Sequence, residues 1–181
     1  MSLVLGILKT YVPPAFKRKL LRELYRETAR AFGATQPDLR GLSHEALLES
    51  YASFTRDEAS RALAAGHAAA VQEKLHANAF ALGKRLRQAL RLRSMSQVLA
   101  TSEILYGALG IAFEGGPAGD VIIHECYFSR FYTADICKVV SSIDAGVAAG
   151  LSAGGRLEFS QRITDGHECC LARLAFEGAG P

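Results

Sequence analysis

Apolar residues recur every three to four places up to about residue 106, and then the spacing changes to alternation. From Pro13-Pro14 onward, Phe16, Leu20, Leu21, Leu24 and Ala31 keep a helical period. Lys17, Arg18, Arg22 and Arg26 mark the wet side, and Gly33 ends the element. Residues 34–42, with Pro37, Asp38 and Gly41, read as a loop, and Ser43 is placed to cap a short helix through about Ala52. Thr55-Arg56-Asp57-Glu58 has the form of a capping box with Phe54 as its staple. It predicts an Ala-rich helix to about Arg93, bent near Gly66 or Gly83. Ser94 and Ser96 separate a further helix that carries Val98, Ile104 and Leu105 to about Tyr106.

After Gly107 the pattern becomes β-like. Leu109–Phe113 is a short strand candidate, and Gly115-Gly116-Pro117 with Gly119-Asp120 is a turn. In a strand over Val121–Phe128, alternation puts Ile122, His124 and Cys126 on one face. A helix from about Thr133 to Leu151 carries the stripe Ile136, Val140, Ile143, Val147 and Leu151. Leu157, Phe159, Gln161 and Ile163 then alternate with Glu158, Ser160, Arg162 and Thr164. Asp165-Gly166 has the form of a two-residue hairpin turn, with Cys169–Phe176 returning. The predicted fold is α+β, one domain over residues 1–181. A mainly helical part (1–108) packs on a four-stranded antiparallel sheet built by a β-β-α-β-β unit (109–181), with the ligand pocket between them.

Charge follows the same division. Residues 1–110 hold 16 Lys/Arg against 9 Asp/Glu, and residues 111–181 hold 5 against 9, within a net charge of +3. A basic helical part suits an anionic ligand such as a carboxylate. The stretch Lys84-Arg85-x-Arg87 with Arg91 and Arg93 lacks interleaved aromatics and reads as a solvated face beside Leu82, Leu86 and Leu90, so nucleic acid is not expected as a partner. No apolar run reaches the roughly 18 residues that span a bilayer. The apolar start Leu3-Val4-Leu5-Gly6-Ile7-Leu8 lacks the basic flank and cleavage site of a signal peptide, although residues 1–30 have the makings of a peripheral membrane helix. A cytoplasmic location is expected, with cysteines as thiols, ligands or nucleophiles rather than disulfides. A homo-oligomer is left open.

All four cysteines lie in the last third. Cys137 and Asp144, seven apart on the predicted helix, stack on nearly one face beside the apolar stripe. On the last strand Cys170 shares the core side with Ala172, Leu174 and Phe176, while Cys169 shares the other side with Arg173. Cys126, Cys137, Asp144 and Cys170 are therefore expected to converge in the seam between helix and sheet. Three kinds of chemistry fit them. Buried free cysteines act as small hydrophobes. Cys126, Cys137 and Cys170 with His124 or Asp144 can ligate zinc or another divalent metal, though no tight C-x-x-C knuckle is present. A thiolate near His124, with Asp144 or Glu125 handling protons, can carry nucleophilic or acid–base catalysis. His67 and His76 read as helix-surface or packing residues.

The succession Cys126, Cys137, Asp144, Ile163-Thr164-Asp165-Gly166 and Cys170, preceded by Leu82–Arg87 and Ile104–Ile111, resembles the L-2-amino-thiazoline-4-carboxylic acid hydrolase family over roughly the last 100 residues. Family members often carry an acidic and an aromatic residue after the last cysteine; here Cys170 is followed by Leu171-Ala172, and Cys169 is an extra cysteine. The resemblance implies hydrolysis of a carbon–nitrogen bond in a small cyclic amidine-like carboxylate, with opening of an aminothiazoline ring to N-carbamoyl-cysteine as archetype. Under it, Cys126 or Cys170 serves as nucleophile or ligand, Asp144 and His124 move protons, Arg85 or Arg87 binds the anion, and Cys137 lines the substrate site. The β-β-α-β-β tail also resembles the vinyl-reductase-type (V4R) ligand-binding domains, which share a fold with Golgi (TRAPP) transport subunits. That resemblance implies a non-enzymatic small-molecule or metal sensor instead.

Overall fold

The computed structural model describes residues 11–175. The apolar start at residues 3–8 and the core-side position Phe176 lie outside the described residues. Helix α1 (Pro14–Phe32) begins on its prolines and ends at Gly33. Helix α2 (His44–Ala64) starts where Ser43 accepts the backbone N–H of Ala46. It continues unbroken through Thr55, which is therefore no helix start. Thr55 is buried in mid-helix, and its hydroxyl donates back to the Tyr51 and Ala52 carbonyls, so the Thr55–Glu58 pattern has no free helix N-terminus to cap. The chain turns instead at Gly66, whose φ of +71° suits glycine, and α3 (Ala68–Leu90) follows. Helix α4 (Met95–Ala108) opens with a Ser94–Gln97 capping box.

Four strands, β1 (Ile111–Gly115), β2 (Asp120–Cys126), β3 (Arg156–Gln161) and β4 (Cys170–Ala175), form one antiparallel sheet in the order β1-β2-β4-β3. The expected fold class, helices packed on a four-stranded antiparallel sheet, is what the chain adopts. Glu114, His124, Glu158 and Arg173 stand exposed on the outer face, while Val121, Ile123, Cys170, Ala172 and Leu174 are buried on the inner one. The core runs from Leu21 and Tyr25 of α1 through Leu47 of α2 and Leu75 of α3 to Val98 of α4 and these sheet positions.

Between β2 and β3 the structure departs from a single helix. A 3₁₀ turn (Tyr127–Arg130) leads to α5 (Ala134–Val140), and α6 (Ser142–Ser152) follows a break at Ser141. The Lys138 carbonyl at the break is taken by the Ser141 hydroxyl (3.2 Å) and by Gln72 Nε2 (3.1 Å), so the interruption leaves it partnered. The expected two-residue hairpin is also absent. Strand β3 ends at Gln161, and residues 162–169 form a longer connection containing the 3₁₀ turn Ile163–Asp165, with Gly166 at φ +94° behind it. The pairing of β3 with β4 shifts register between Phe159 and Gln161, and the chain then leaves the ladder into the 3₁₀ turn, so the alternation that a tight hairpin needs stops there.

Helices α3 and α6 make the most extensive contact between any two elements. Glycines permit it. A Cβ on Gly150 would collide with the Phe80 carbonyl oxygen and lie 2.7 Å from the Lys84 nitrogen; one on Gly146 would meet the His76 carbonyl; one on Gly83 would lie 2.5 Å from the Val147 oxygen. Gly83 thus brings α6 close and does not bend α3. Gly150→Ala is expected to cost about 1–3 kcal/mol by overpacking, against its gain in helix propensity. Gly107→Ala, on α4 with open space around it, should instead stabilise by about 0.5–1 kcal/mol. Denaturant titration of the two variants checks the contrast; equal effects would mean that the α3–α6 approach is not tight.

Candidate functional site

The 3₁₀ turn after β2, the two helices α5 and α6 and the turn after β3 all end around one pocket. Its volume is about 70 Å³, roughly the share of two waters. Cys126, Cys137, Cys170 and Asp144 line it together. Leu24, Leu109, Phe128, Val140 and Ile143 form the apolar wall, and Tyr51 and Tyr132 bring hydroxyls. A second, smaller cavity of about 40 Å³ shares Leu24, Leu109, Ile143 and Asp144 with it and extends towards Leu82 and Leu86.

Asp144 is the centre of this arrangement. It is enclosed by protein yet partly accessible, as a group lining a cavity must be. The Tyr106 hydroxyl donates to its Oδ1 at 3.0 Å. Burial lifts its pKa to about 6, against the pull of that hydrogen bond and of the Arg162 charge. Burial likewise pushes the Cys126 thiol up to about 12, with backbone N–H groups of Phe128 and Ser129 pulling back and Asp144 pushing further. The Cys137 and Cys170 thiols are raised by burial too. The Ile163 N–H donates to Cys170 Sγ at 3.4 Å, and Arg162 favours the thiolate at both cysteines. Thr164 Oγ1 lies beside the Cys137 thiol and favours its thiolate, but has no partner of hydrogen-bond geometry. All three thiols are therefore neutral at pH 7, and Asp144 titrates close to it.

Tyrosines complete the polar lining. The Tyr132 hydroxyl donates to Thr55, whose own proton goes to the Tyr51 carbonyl, and Tyr51 shares a hydrogen bond of 3.0 Å with Thr28. Burial raises the pKa of Tyr51, Tyr106 and Tyr132, so each stays a neutral donor.

The expected convergence of Cys126, Cys137, Asp144 and Cys170 in one seam matches this lining, and Cys169 is not part of it. Cys169 lies against the Gln161 amide instead. His124 is not in the pocket. It is exposed on the outer face, with Nε2 3.0 Å from Glu114 Oε2. The reason is a β-bulge: Ile123 pairs with Phe113 and Glu125 with Ala112, which leaves His124 without a partner in β1. One extra residue reverses the alternation, so Ile123 and Cys126 face inward and His124 outward. Glu125 is exposed as well.

Arg85 and Arg87 are also elsewhere. Arg85 bridges α3 to α1 through Glu23 (3.1 Å) and Glu27 (3.5 Å). Arg87 donates to the Leu151 carbonyl at 3.0 Å, near the end of α6. Arg162, which strict alternation places on the outer face, borders the pocket through Ser141 and acts on the charges of Asp144, Cys137 and Cys170 without lining it. The turn after β3 swings Arg162 over the Phe159 ring, 4.6 Å from the centroid. Its Nη2 reaches Ser141 Oγ at 3.4 Å, and its Nε is buried with no partner. The aromatic run after Cys126 (Tyr127, Phe128, Phe131, Tyr132) and the Arg162–Thr164 turn were the only traces of these residues in the sequence.

Among the described residues, no group of three or more His, Cys, Asp or Glu side chains is placed to hold a metal ion, and all four cysteines are free. Nor, among them, is any helix long and apolar enough to cross a membrane. The chain matches no protein-family model, and no curated protein or solved structure is significantly similar to it.

The Asp144 pKa sets a pH signature. The folded carboxyl holds its proton up to about pH 6, whereas a free aspartate carboxyl ionises near 3.8. Between those values the folded chain binds more protons, so stability falls as pH rises through the window and is flat above it. The drop is on the order of 2–3 kcal/mol. Asp144→Asn should remove this slope and be the more stable protein at pH 8. Urea titrations at pH 4.5 and pH 8 check it; an unchanged slope in the variant would place the raised pKa elsewhere.

Proposed function

We propose that the pocket binds a small cyclic amidine-like carboxylate and opens its ring by hydrolysis, the chain resembling L-2-amino-thiazoline-4-carboxylic acid hydrolase. The observation that carries this reading is an enclosed carboxyl, Asp144, with a pKa raised to about 6, in a pocket lined by three thiols and bordered at Ser141 by Arg162. A carboxyl poised near neutrality is both base and acid. As carboxylate, Asp144 takes a proton from water while the water oxygen bonds to the amidine carbon, and passes that proton to the amidine nitrogen. It then takes the hydroxyl proton of the tetrahedral adduct and hands it to the ring heteroatom as that bond breaks. Asp144 ends as it began. Tyr106 holds the carboxyl in place through its 3.0 Å hydrogen bond.

Arg162 takes the part assigned from sequence to Arg85 or Arg87. Its unpartnered Nε is a buried donor that a substrate carboxylate would satisfy. The thiols fit neutral lining groups and weak donors better than resting nucleophiles, since the thiolate, not the thiol, attacks. At about 70 Å³ the pocket has to open into the adjoining cavity of about 40 Å³, or widen, to admit a five-membered ring that bears a carboxylate. Free cysteines suit a cytoplasmic enzyme. A second reading, a V4R-like small-molecule sensor, draws on the predominance of apolar side chains in the wall.

A panel of cyclic amidines with and without a carboxylate, followed by product mass, tests the proposal. Turnover is expected only with small rings. Asp144→Asn should lower kcat on the order of 100-fold. Arg162→Gln should raise KM about tenfold for carboxylate substrates and leave their decarboxylated analogues unaffected. Cys169→Ser should change neither constant. If no compound is turned over while some raise the melting temperature of the wild-type protein, the sensor reading replaces the enzyme.

A further inference from the structure

Beside the site pocket lies the cavity of about 40 Å³ that shares Leu24, Leu109, Ile143 and Asp144 with it. Four helices build its wall in the same way. Helices α1 and α3 each give two leucines four residues apart, Leu20 with Leu24 and Leu82 with Leu86. The end of α4 gives Leu105 and Leu109 at that spacing, and α6 gives Ile143 and Val147. Residues four apart stack on one helix face, so each helix turns an aliphatic pair to a common space. The polar side chains in the lining, Asp144 and Tyr106, already share a hydrogen bond of 3.0 Å.

Two features set this space apart from a packing defect. Protein interiors close most gaps larger than a water, but this one cannot close by a shift of α6 towards α3. Gly83, next to Leu82, and Gly150 already hold the two helices backbone to backbone. Water does not suit the leucine end either, because a buried water needs about two to four polar partners. The volume is little more than the share of one water, about the size of a methyl or ethyl group. We propose, resting on the reading of the adjoining pocket as a ligand site, that this cavity is a subsite for a short alkyl group carried by the ligand whose polar part lies against Asp144. The substrate is thereby oriented. Its hydrocarbon edge points between α1 and α3, and its carboxylate towards Ser141 and Arg162.

Two measurements on the full chain test the subsite. In the first, methyl NMR spectra are recorded under xenon, an apolar atom that enters dry cavities. The methyl signals of Leu82, Leu105 and Val147 are expected to shift in the wild-type protein. In Val147→Phe, whose ring fills the space, those of Leu82 and Leu105 should stay in place. Circular dichroism reports whether that variant keeps its fold; should it unfold, Leu86→Phe fills the cavity from α3, where Leu86 is half-buried. In the second, the protein is titrated with cyclic amidine carboxylates that differ only in a ring substituent: hydrogen, methyl, ethyl or benzyl. Affinity is expected to rise about fourfold for each carbon up to ethyl and to fall for benzyl, and the rise should vanish in the filled variant. Absence of the xenon shifts, equal shifts in the filled variant, or equal affinity across the series would overturn the inference, even if the unsubstituted amidine is turned over. Xenon entry with no amidine bound supports the alkyl subsite and removes the amidine reading instead, so the two fail separately.

Discussion

The close approach of α3 and α6 is the constraint on which the rest of the site depends. Helix α6 carries Asp144, and it reaches its position because Gly83, Gly146 and Gly150 present backbone to backbone where any side chain would strike a carbonyl. Contact at that distance leaves little freedom for α6 to slide or rotate, since packed interfaces resist small displacements. The face bearing Ile143, Asp144 and Val147 is then directed at the cavities beside Leu24 and Leu109. A larger residue at these glycines would push α6 away and change the shape of both cavities at once.

Within the site one physical effect acts on every titratable group. Burial opposes charge, and so it raises the carboxyl, the thiols and the tyrosines alike. The consequence differs with each starting value. Thiols and phenols that ionise above neutrality move further from it and become fixed donors. The carboxyl, which ionises well below neutrality in water, is carried up to it. Asp144 thus becomes the one pocket group able to exchange a proton near pH 7, and the Tyr106 hydrogen bond, with the Arg162 charge, keeps it from rising further. The chemistry argued for the pocket follows from this asymmetry more than from the number of cysteines.

The irregularities of the sheet matter as much as its regular ladder. The unpaired His124 in β2 turns Cys126 inward, and the register shift at the end of β3, with the 3₁₀ turn behind it, takes Arg162 off the outer face towards Ser141. Each is a place where the chain leaves strict alternation, and each delivers a side chain to the pocket or its border. Bulges and short turns beside a site commonly re-aim side chains in this way.

Period and punctuation in the sequence were enough for the helical character of the first hundred residues, though not for the boundary between α2 and α3, and for the four strands and their antiparallel pairing, because those depend on local spacing and on which face must be buried. They also pointed to a grouping of Cys126, Cys137, Asp144 and Cys170, but Cys126 joins it only through the bulge at His124, and Cys137 and Asp144 sit on two helices broken at Ser141 rather than on one. What the sequence alone did not reveal came from contacts between distant segments. Thr55 has the local form of a helix start, but packing with Tyr132 seats it in mid-helix. The place of His124 depends on a bulge set by its pairing with β1, and that of Arg162 on the turn packed over Phe159. Arg85 and Arg87 have the right charge for an anion, yet α1 and the end of α6 claim them first. Periodicity specifies which face of an element is apolar; only the assembled structure decides where a bulge or turn reverses that face and which partner reaches a charge first.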